Sequence, residues 1–321
     1  MWDVRRKVVF PPMRNKIRDA RYGFSPSPSA IRNPQSAIRN LSRGALWILL
    51  FVSLVCVRVT EAAFEFHDIG CRAIGLGGSC VAQAEGAEGI FWNPASVALS
   101  DRSWVSAFGG RLFTMQALSI QALGGIVSTS WGPVGAGIEV YGGSLYREVS
   151  VGAAYGWALE RVLSLGVRVR YGRLSITRFG SARVLCMDVG ARIQVRDALR
   201  WGLSVQNLTG ARIGGHGERA AQTVLMGIGG TPVDRINLSL DVHKDLRFPV
   251  QLSAGAEVLL SDAVRLWTGV RGPPALFSSG LGFYLGSFSI QYAVTYHGVL
   301  GTSHYASIGI METVHRANSR E

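Results

Sequence analysis

Residues 163–172 read LSLGVRVRYG and residues 185–194 read LCMDVGARIQ. In the first run Leu163, Leu165, Val167, Val169 and Tyr171 alternate with Ser164, Gly166, Arg168, Arg170 and Gly172. In the second, Leu185, Met187, Val189, Ala191 and Ile193 alternate with Cys186, Asp188, Gly190, Arg192 and Gln194. Period two with one apolar face marks β-strands. The pattern recurs at 149–159, 201–206, 236–243, 250–260 and 288–297. A soluble sandwich would bury such faces against one another. The opposite faces point instead to a barrel in lipid. They carry Arg168, Arg170, Asp188, Arg192, Asp241, Glu257, Arg265 and Gln291 among many glycines, which suits a crowded polar lumen better than a solvent-facing sheet rich in Lys and Glu.

Working outward from these runs, about fourteen strands are expected, starting near 103, 117, 134, 148, 163, 182, 199, 222, 236, 249, 264, 276, 287 and 302. An even number is usual for membrane barrels. Tight turns follow the even-numbered strands at Gly132-Pro133, Glu160-Arg161, Arg196-Asp197, Asp234-Arg235, Ser261-Asp262 and Gly286-Ser287. Longer connections mostly follow the odd ones, with 210–221 the longest. This asymmetry places both termini in the periplasm. Tyr155, Trp157, Tyr171, Trp201, Tyr292 and Tyr296 fall at strand ends or on outward faces, as interfacial aromatics do. Arg170 and Asp188 are symmetric about the turn near Phe179 and are expected to form an ion pair lining the lumen.

The barrel is assigned to residues 101–312, followed by a polar tail at 313–321. Upstream, residues 1–43 hold a tandem SAIRNPQSAIRN and nothing able to bury a core. They are expected to be a disordered or over-extended leader. Residues 44–63 read as an export signal: Arg39 and Arg43 precede the apolar run Ala45 to Val57, and Thr60, Ala62 and Ala63 supply small residues for cleavage after Ala62 or Ala63. Cys56 lacks a preceding small residue and is not expected to carry lipid. The formal net charge of +12 is concentrated in the first 43 residues, which carry ten Lys/Arg and two Asp. From Phe64 onward only +4 remains, so no basic stripe for nucleic acid is expected.

Between signal and strands, residues 70–98 read GCRAIGLGGSCVAQAEGAEGIFWNPASVA. The stretch is too rich in glycine for a good helix and too irregular for a strand. Gly75, Gly77 and Gly78 do not complete a phosphate-binding GxGxxG, because Cys80 stands where the last glycine belongs and no strand precedes them. The string resembles the start of the mature chain in FadL-like outer-membrane β-barrels of the PorV/PorQ branch, approximately GxRAxGxGGAxxAxxxDxxAxxxNPAxLA. Matching positions are Gly70, Arg72, Ala73, Gly75, Gly77, Gly78, Ala82, Asn93, Pro94 and Ala95. Ser79 replaces the usual alanine, and the acidic residues before the NPA motif are displaced to Glu85 and Glu88. Further similarity lies in GLSVQNLTG (202–210), INLSLDVHKD (236–245) and residues 278–310, which include LGTSH at Leu300 to His304 in place of the family's LGxTH signature.

The resemblance implies that residues 64–100 form a hatch in the lumen, with Gly70, Arg72, Gly75, Gly77, Gly78, Asn93 and Pro94 as gate residues. A barrel of this size holds a lumen its own side chains do not fill, so it needs a plug. Ile90, Phe91 and Trp92 offer an apolar anchor, and Arg168, Arg170 and Glu257 are placed to hold the hatch backbone from the wall. The resemblance also implies two functions: passage of hydrophobic or amphipathic small molecules, or docking of secretion-system proteins at the outer loops. Outer-membrane lipid is the expected surrounding.

Enzymatic chemistry is not expected. The six histidines show no metal-ligand spacing, and Ser303 and His304, as strand neighbours, point to opposite faces. No cofactor or metal is implied. Cys71 and Cys80 are read as two unpaired thiols, with a bridge between them in an oxidising compartment as the alternative. Asn207-Leu208-Thr209 and Asn237-Leu238-Ser239 are read as chance glycosylation matches within strands.

Overall fold

The computed structural model describes residues 63–159, 162–215 and 218–312. The leader, nearly all of the export signal, the Glu160-Arg161 turn and the tail at 313–321 lie outside the described residues. Fourteen strands follow one another: β1 (Trp104–Arg111), β2 (Ser119–Thr129), β3 (Gly132–Gly142), β4 (Tyr146–Leu159), β5 (Leu163–Ile176), β6 (Gly180–Arg196), β7 (Leu199–Gln206), β8 (Thr223–Val233), β9 (Ile236–Asp245), β10 (Gln251–Leu259), β11 (Val264–Gly272), β12 (Leu276–Leu285), β13 (Phe288–His297) and β14 (Gly301–Met311). Each pairs antiparallel with its neighbours, and β1 closes on β14 with Trp104 opposite Met311 and Arg111 opposite His304. The result is a closed transmembrane barrel. Among the described residues no helix is long and apolar enough to cross a membrane, so the strands do the crossing.

The two faces of each strand separate as the alternation requires. On β5 and β6, Val169 and Leu185 are 47% and 63% exposed, while Arg168 and Asp188 point inward and are 5% and 0% exposed. Such sorting follows from lipid, which charges only the outward face with a cost for polarity. Tyr171, Trp157, Tyr292 and Tyr296 face outward.

Connections after even-numbered strands are short, as at 130–131, 197–198, 234–235 and 286–287. They lie at the same end as the start of β1 and the end of β14, here termed the terminal end. At the far end the asymmetry is weaker than the sequence suggests. The connections at 143–145, 177–179, 273–275 and 298–300 are also tight, and only 112–118 and 207–222 are long. The longest begins earlier than expected, because Asn207 leaves the strand with φ 52°. Asparagine tolerates this left-handed region and can bond its own following backbone. Its Oδ1 accepts from the Ala211 amide at 3.0 Å and its Nδ2 donates to the Ala220 and Ala221 carbonyls at 3.0 and 3.2 Å. The Asn207 motif therefore organises a loop, correcting its assignment to a strand; Asn237 lies within β9.

The β5–β6 register also departs from expectation. Arg168, not Arg170, stands directly opposite Asp188, and Arg170 faces Cys186. The hairpin is centred on Arg178, one residue earlier than Phe179.

Residues 63–100 lie inside the barrel and contain two short helices, α1 (Cys71–Gly75) and α2 (Gly86–Trp92), followed by a 3-10 turn at Pro94–Leu99. The sequence-level exclusion of helix fails here because burial of one apolar side outweighs glycine's low propensity over so few residues. Ile69, Ile74, Leu76, Val81, Ile90, Trp92 and Val97 form one core with inward Phe108, Ile120, Leu225 and Trp267.

Candidate gate in the barrel lumen

The lumen segment turns at a point where only glycine does so easily. After α1, Gly77 and Gly78 adopt φ 69° and 80°, a left-handed course that L side chains resist. The turn also brings the chain hard against β11. A Cβ on Gly77 would lie 2.8 Å from the Val270 amide nitrogen, and one on Gly75 would lie 2.8 Å from the Trp267 Cβ. Arg271 donates from Nε to the Gly77 carbonyl at 2.9 Å and pairs through Nη1 with Asp68 at 2.8 Å. Gly70 packs on Glu88, whose Oε1 accepts from the Ser106 hydroxyl at 2.8 Å. Burial raises the Glu88 carboxyl above its usual range, and hydroxyls of Ser307 and Ser106 partly offset this.

Arg72 projects from α1 to the wall. Its Nε and Nη2 donate to the two oxygens of Glu257 at 3.0 Å each, a bidentate pair. Glu257, 1% exposed, also accepts from Trp267 Nε1 at 2.8 Å and Asn237 Nδ2 at 2.7 Å. Three donors therefore satisfy one buried carboxylate, the condition under which a buried charge is tolerated. Glu85 lies 3.6 Å from Arg72 on the other side and is 53% exposed. Glu257 thus grips a hatch side chain, not the hatch backbone as expected.

The backbone is gripped elsewhere. Arg168 Nη1 donates to the Ile90 carbonyl at 3.0 Å, Gln206 Nε2 to the Phe91 carbonyl at 3.0 Å, and the Val81 amide donates to Asp241 Oδ2 at 2.9 Å. Arg170 makes no hydrogen bond to the hatch among the described residues; it donates to both oxygens of Asp188 at 2.8 and 3.2 Å. Arg168 donates to Asp188 at 2.7 Å as well, and the Asn207 amide at 2.8 Å. Arg192 faces the lumen half-buried, with no ion-pair partner among the described residues.

Asn93 and Pro94 lock the segment's end. Asn93 donates to the carbonyls of Val81 and of Ala191 on β6 at 3.0 and 3.1 Å, and accepts from the Ala95 amide at 3.0 Å. The close fit depends on wall glycines that the sequence reading took only as small residues. A Cβ on Gly190 would lie 2.0 Å from Asn93 Oδ1, on Gly166 2.2 Å from the Pro94 carbonyl carbon, and on Gly269 2.2 Å from the Leu76 carbonyl carbon. Gly124, Gly135, Gly156, Gly202, Gly229 and Gly255 approach the hatch in the same way from six other strands. Their signal was available as glycine on the inward phase of the alternation.

At the far end, Phe64 packs on Val184, Cys186, Ile213 and Ala220, and its amide donates to Glu148 at 3.0 Å. His67 bonds Glu139 at 2.7 Å and stacks on Tyr141. The plug therefore runs from the terminal end nearly to the far end. Between it and the wall near Trp104, Arg265, Tyr284 and Met311 lies a cavity of about 190 Å³, smaller than the roughly 300–1,000 Å³ of small-molecule pockets. Cys71, Cys80 and Cys186 are free and buried, and burial pushes the Cys71 thiol up to about 12, leaving it inert. Ser303 faces inward, accepting from the Phe113 amide at 2.8 Å, while His304 faces outward and bonds Tyr292 at 2.6 Å.

No family model matches the sequence, and no curated protein matches it. Solved structures do match in fold. The monoaromatic hydrocarbon channel CymD aligns with TM-score 0.58 at 12% identity over 79% of this chain and 99% of its own. The Ralstonia pickettii toluene transporter TbuX aligns with TM-score 0.57 at 14% identity over 79% of this chain and 100% of its own. A Pseudomonas aeruginosa FadL homologue aligns with TM-score 0.59 at 10% identity over 78% of this chain and 99% of its own. At these identities the likeness is one of fold, and the fold is the closed, fourteen-strand barrel of FadL-type proteins.

Proposed function

We propose that this chain is an outer-membrane transporter that passes hydrophobic or amphipathic small molecules through a gated lumen, with its terminal end in the periplasm. Within the FadL-like barrels we place it in the PorV/PorQ branch, on the residue matches at 70–95 and 278–310. One observation carries the functional reading: the lumen is filled along most of its height by a segment held with hydrogen bonds and ion pairs, not by a permanently apolar core alone. Polar anchors such as the Arg72–Glu257 pair can exchange partners with water, so part of the hold on the plug is replaceable without a net loss of hydrogen bonds. The names of the fold relatives, a hydrocarbon channel and a toluene transporter, agree in the class of cargo.

Docking of secretion-system proteins is the second reading. It needs outer connections large enough to present a surface, and four of the far-end connections are tight while only 112–118 and 207–222 are long. Transport is accordingly preferred. The test is planar-bilayer conductance of the mature barrel beside a variant lacking residues 70–95. The expected result is little steady conductance in the parent and a large one on deletion; a large steady conductance in the parent would exclude a gate.

A further inference from the structure

At the far end, three adjacent strands carry an arginine on the outward face: Arg147 on β4, Arg173 on β5 and Arg183 on β6, all exposed. Each is the next outward position beyond an apolar one, Val149, Tyr171 and Leu185 respectively. Two residues along a strand span about 6.5–7 Å, so the three guanidinium groups sit just above the apolar band. Arg173 stands directly opposite Arg183 in the ladder, and like charges in that position repel. The 207–222 loop adds a second like pair, since Arg212 bridges to Arg219, and the loop is tied to β6 through the bond from the Gly214 amide to the Arg183 carbonyl at 2.8 Å.

Among the described residues, none of these five arginines has a carboxylate within ion-pair distance. Of the far-end acids, Glu148 is buried with Phe64 and Tyr146, Asp245 and Glu65 pair with Arg247, and the exposed Glu218 of the 207–222 loop forms no ion pair with these arginines among the described residues. The second arginine of a directly opposed pair belongs where an anion bridges both. Arginine suits this role because its planar fork takes phosphate oxygens two at a time.

We infer that Arg147, Arg173 and Arg183 bind the head group of an outer-leaflet lipid carrying two or more phosphates. The occupant is a lipid because the outward rows below the arginines are continuous apolar surface, where its acyl chains lie. The inference rests on the reading of the far end as the outer one. It does not depend on what the lumen transports.

The experiment uses the mature barrel in dodecyl maltoside with hexa-acylated, bis-phosphorylated lipid A as probe, read by native mass spectrometry. The parent should retain the lipid, and R147S/R173S/R183S should lose at least tenfold in occupancy. Lipid A stripped of its phosphates should not be retained by either. Thermal midpoints supply a second readout whose sign reverses: R183S should raise the midpoint in detergent alone, by removing the like-charge pair, and lower it relative to the parent once lipid A is present. Equal retention by the triple variant, equal retention of the stripped lipid, or full competition by millimolar inorganic phosphate would overturn the lipid assignment. A heat-modifiable gel shift confirms that each variant is folded. If the parent lacks that shift, the barrel reading itself fails, which keeps the two failures apart.

Discussion

Two buried arginine–carboxylate clusters occupy this lumen, and they join different things. Asp188 binds Arg168 and Arg170 from the neighbouring strand and the Asn207 amide from the start of the long loop, so most of its bonds stay within the wall. Glu257 binds Arg72 across the boundary between wall and plug. The further acid that interacts with the Asp188 arginines, Glu139, is itself bonded to His67 at 2.7 Å, whereas Arg72 has the exposed Glu85 within 3.6 Å. On the gating proposal, similar chemistry serves a permanent joint in one place and a releasable one in the other.

The sharpest way to break this comparison is Asp188→Ala. It strands two inward arginines, and losing one partner of a buried pair costs about 3–5 kcal/mol. The urea midpoint of the folded barrel should fall strongly while bilayer conductance stays low, because the plug keeps its other anchors; a conductance rise without destabilisation would show that Asp188 belongs to the gate. Next in size is a displaced arginine. Val169→Arg puts on the lipid face the residue type that Arg168 and Arg170 carry on the lumen face one position away, and should cost about 2–4 kcal/mol near the midplane. Membrane insertion of that variant should drop well below that of Arg170→Ser, and equal insertion would reverse the facing assignment.

Glu257→Gln should cost less, about 1.5–3 kcal/mol for a charge-assisted hydrogen bond, since Arg72 keeps Glu85. Its signature is functional: frequent conductance openings at a smaller stability loss than that of Asp188→Ala, where silence would make the Arg72 contact merely structural. The smallest effect is expected from Gly135→Ala. Its Cβ would lie 2.9 Å from the Ile90 Cγ2 and 3.1 Å from the Val97 Cγ2, and overpacking of this kind costs about 1–3 kcal/mol, shared between wall and plug as they shift. Loss of protection of the 94–99 turn in hydrogen exchange, with the strands unchanged, would place the strain in the plug.

The fold was legible because lipid enforces period two so strictly. Leu163 to Gly172 and Leu185 to Gln194 could be assigned inward and outward residue by residue, and all fourteen strands followed. The plug was legible only through resemblance, since its helices α1 and α2 are too short to show a period. Contacts depending on a single residue of register were not readable. Choosing Arg170 over Arg168 as the residue facing Asp188 required the hairpin centre to one position, and an Arg178 with positive φ moved it. Asn207 was missed for a related reason: an asparagine ending a strand and one inside it look alike until the following turn is known. The wall glycines were seen as composition and not as contacts, because what they touch lies far away in the chain, as with Gly190 and Asn93 or Gly269 and Leu76.

Those glycines carry a consequence for biogenesis. Gly166, Gly190 and Gly269 approach plug atoms so closely that the wall and the plug cannot be finished separately and then slid together past side chains such as Trp267. The 70–98 segment precedes every strand in sequence, so it is available before any hairpin forms, and the β1–β14 seam joins positions as far apart as Trp104 and Met311. Pairings of such separation form slowly. We expect the segment to act as a mandrel, with the hairpins condensing around it and the seam shutting last on a lumen that is already filled.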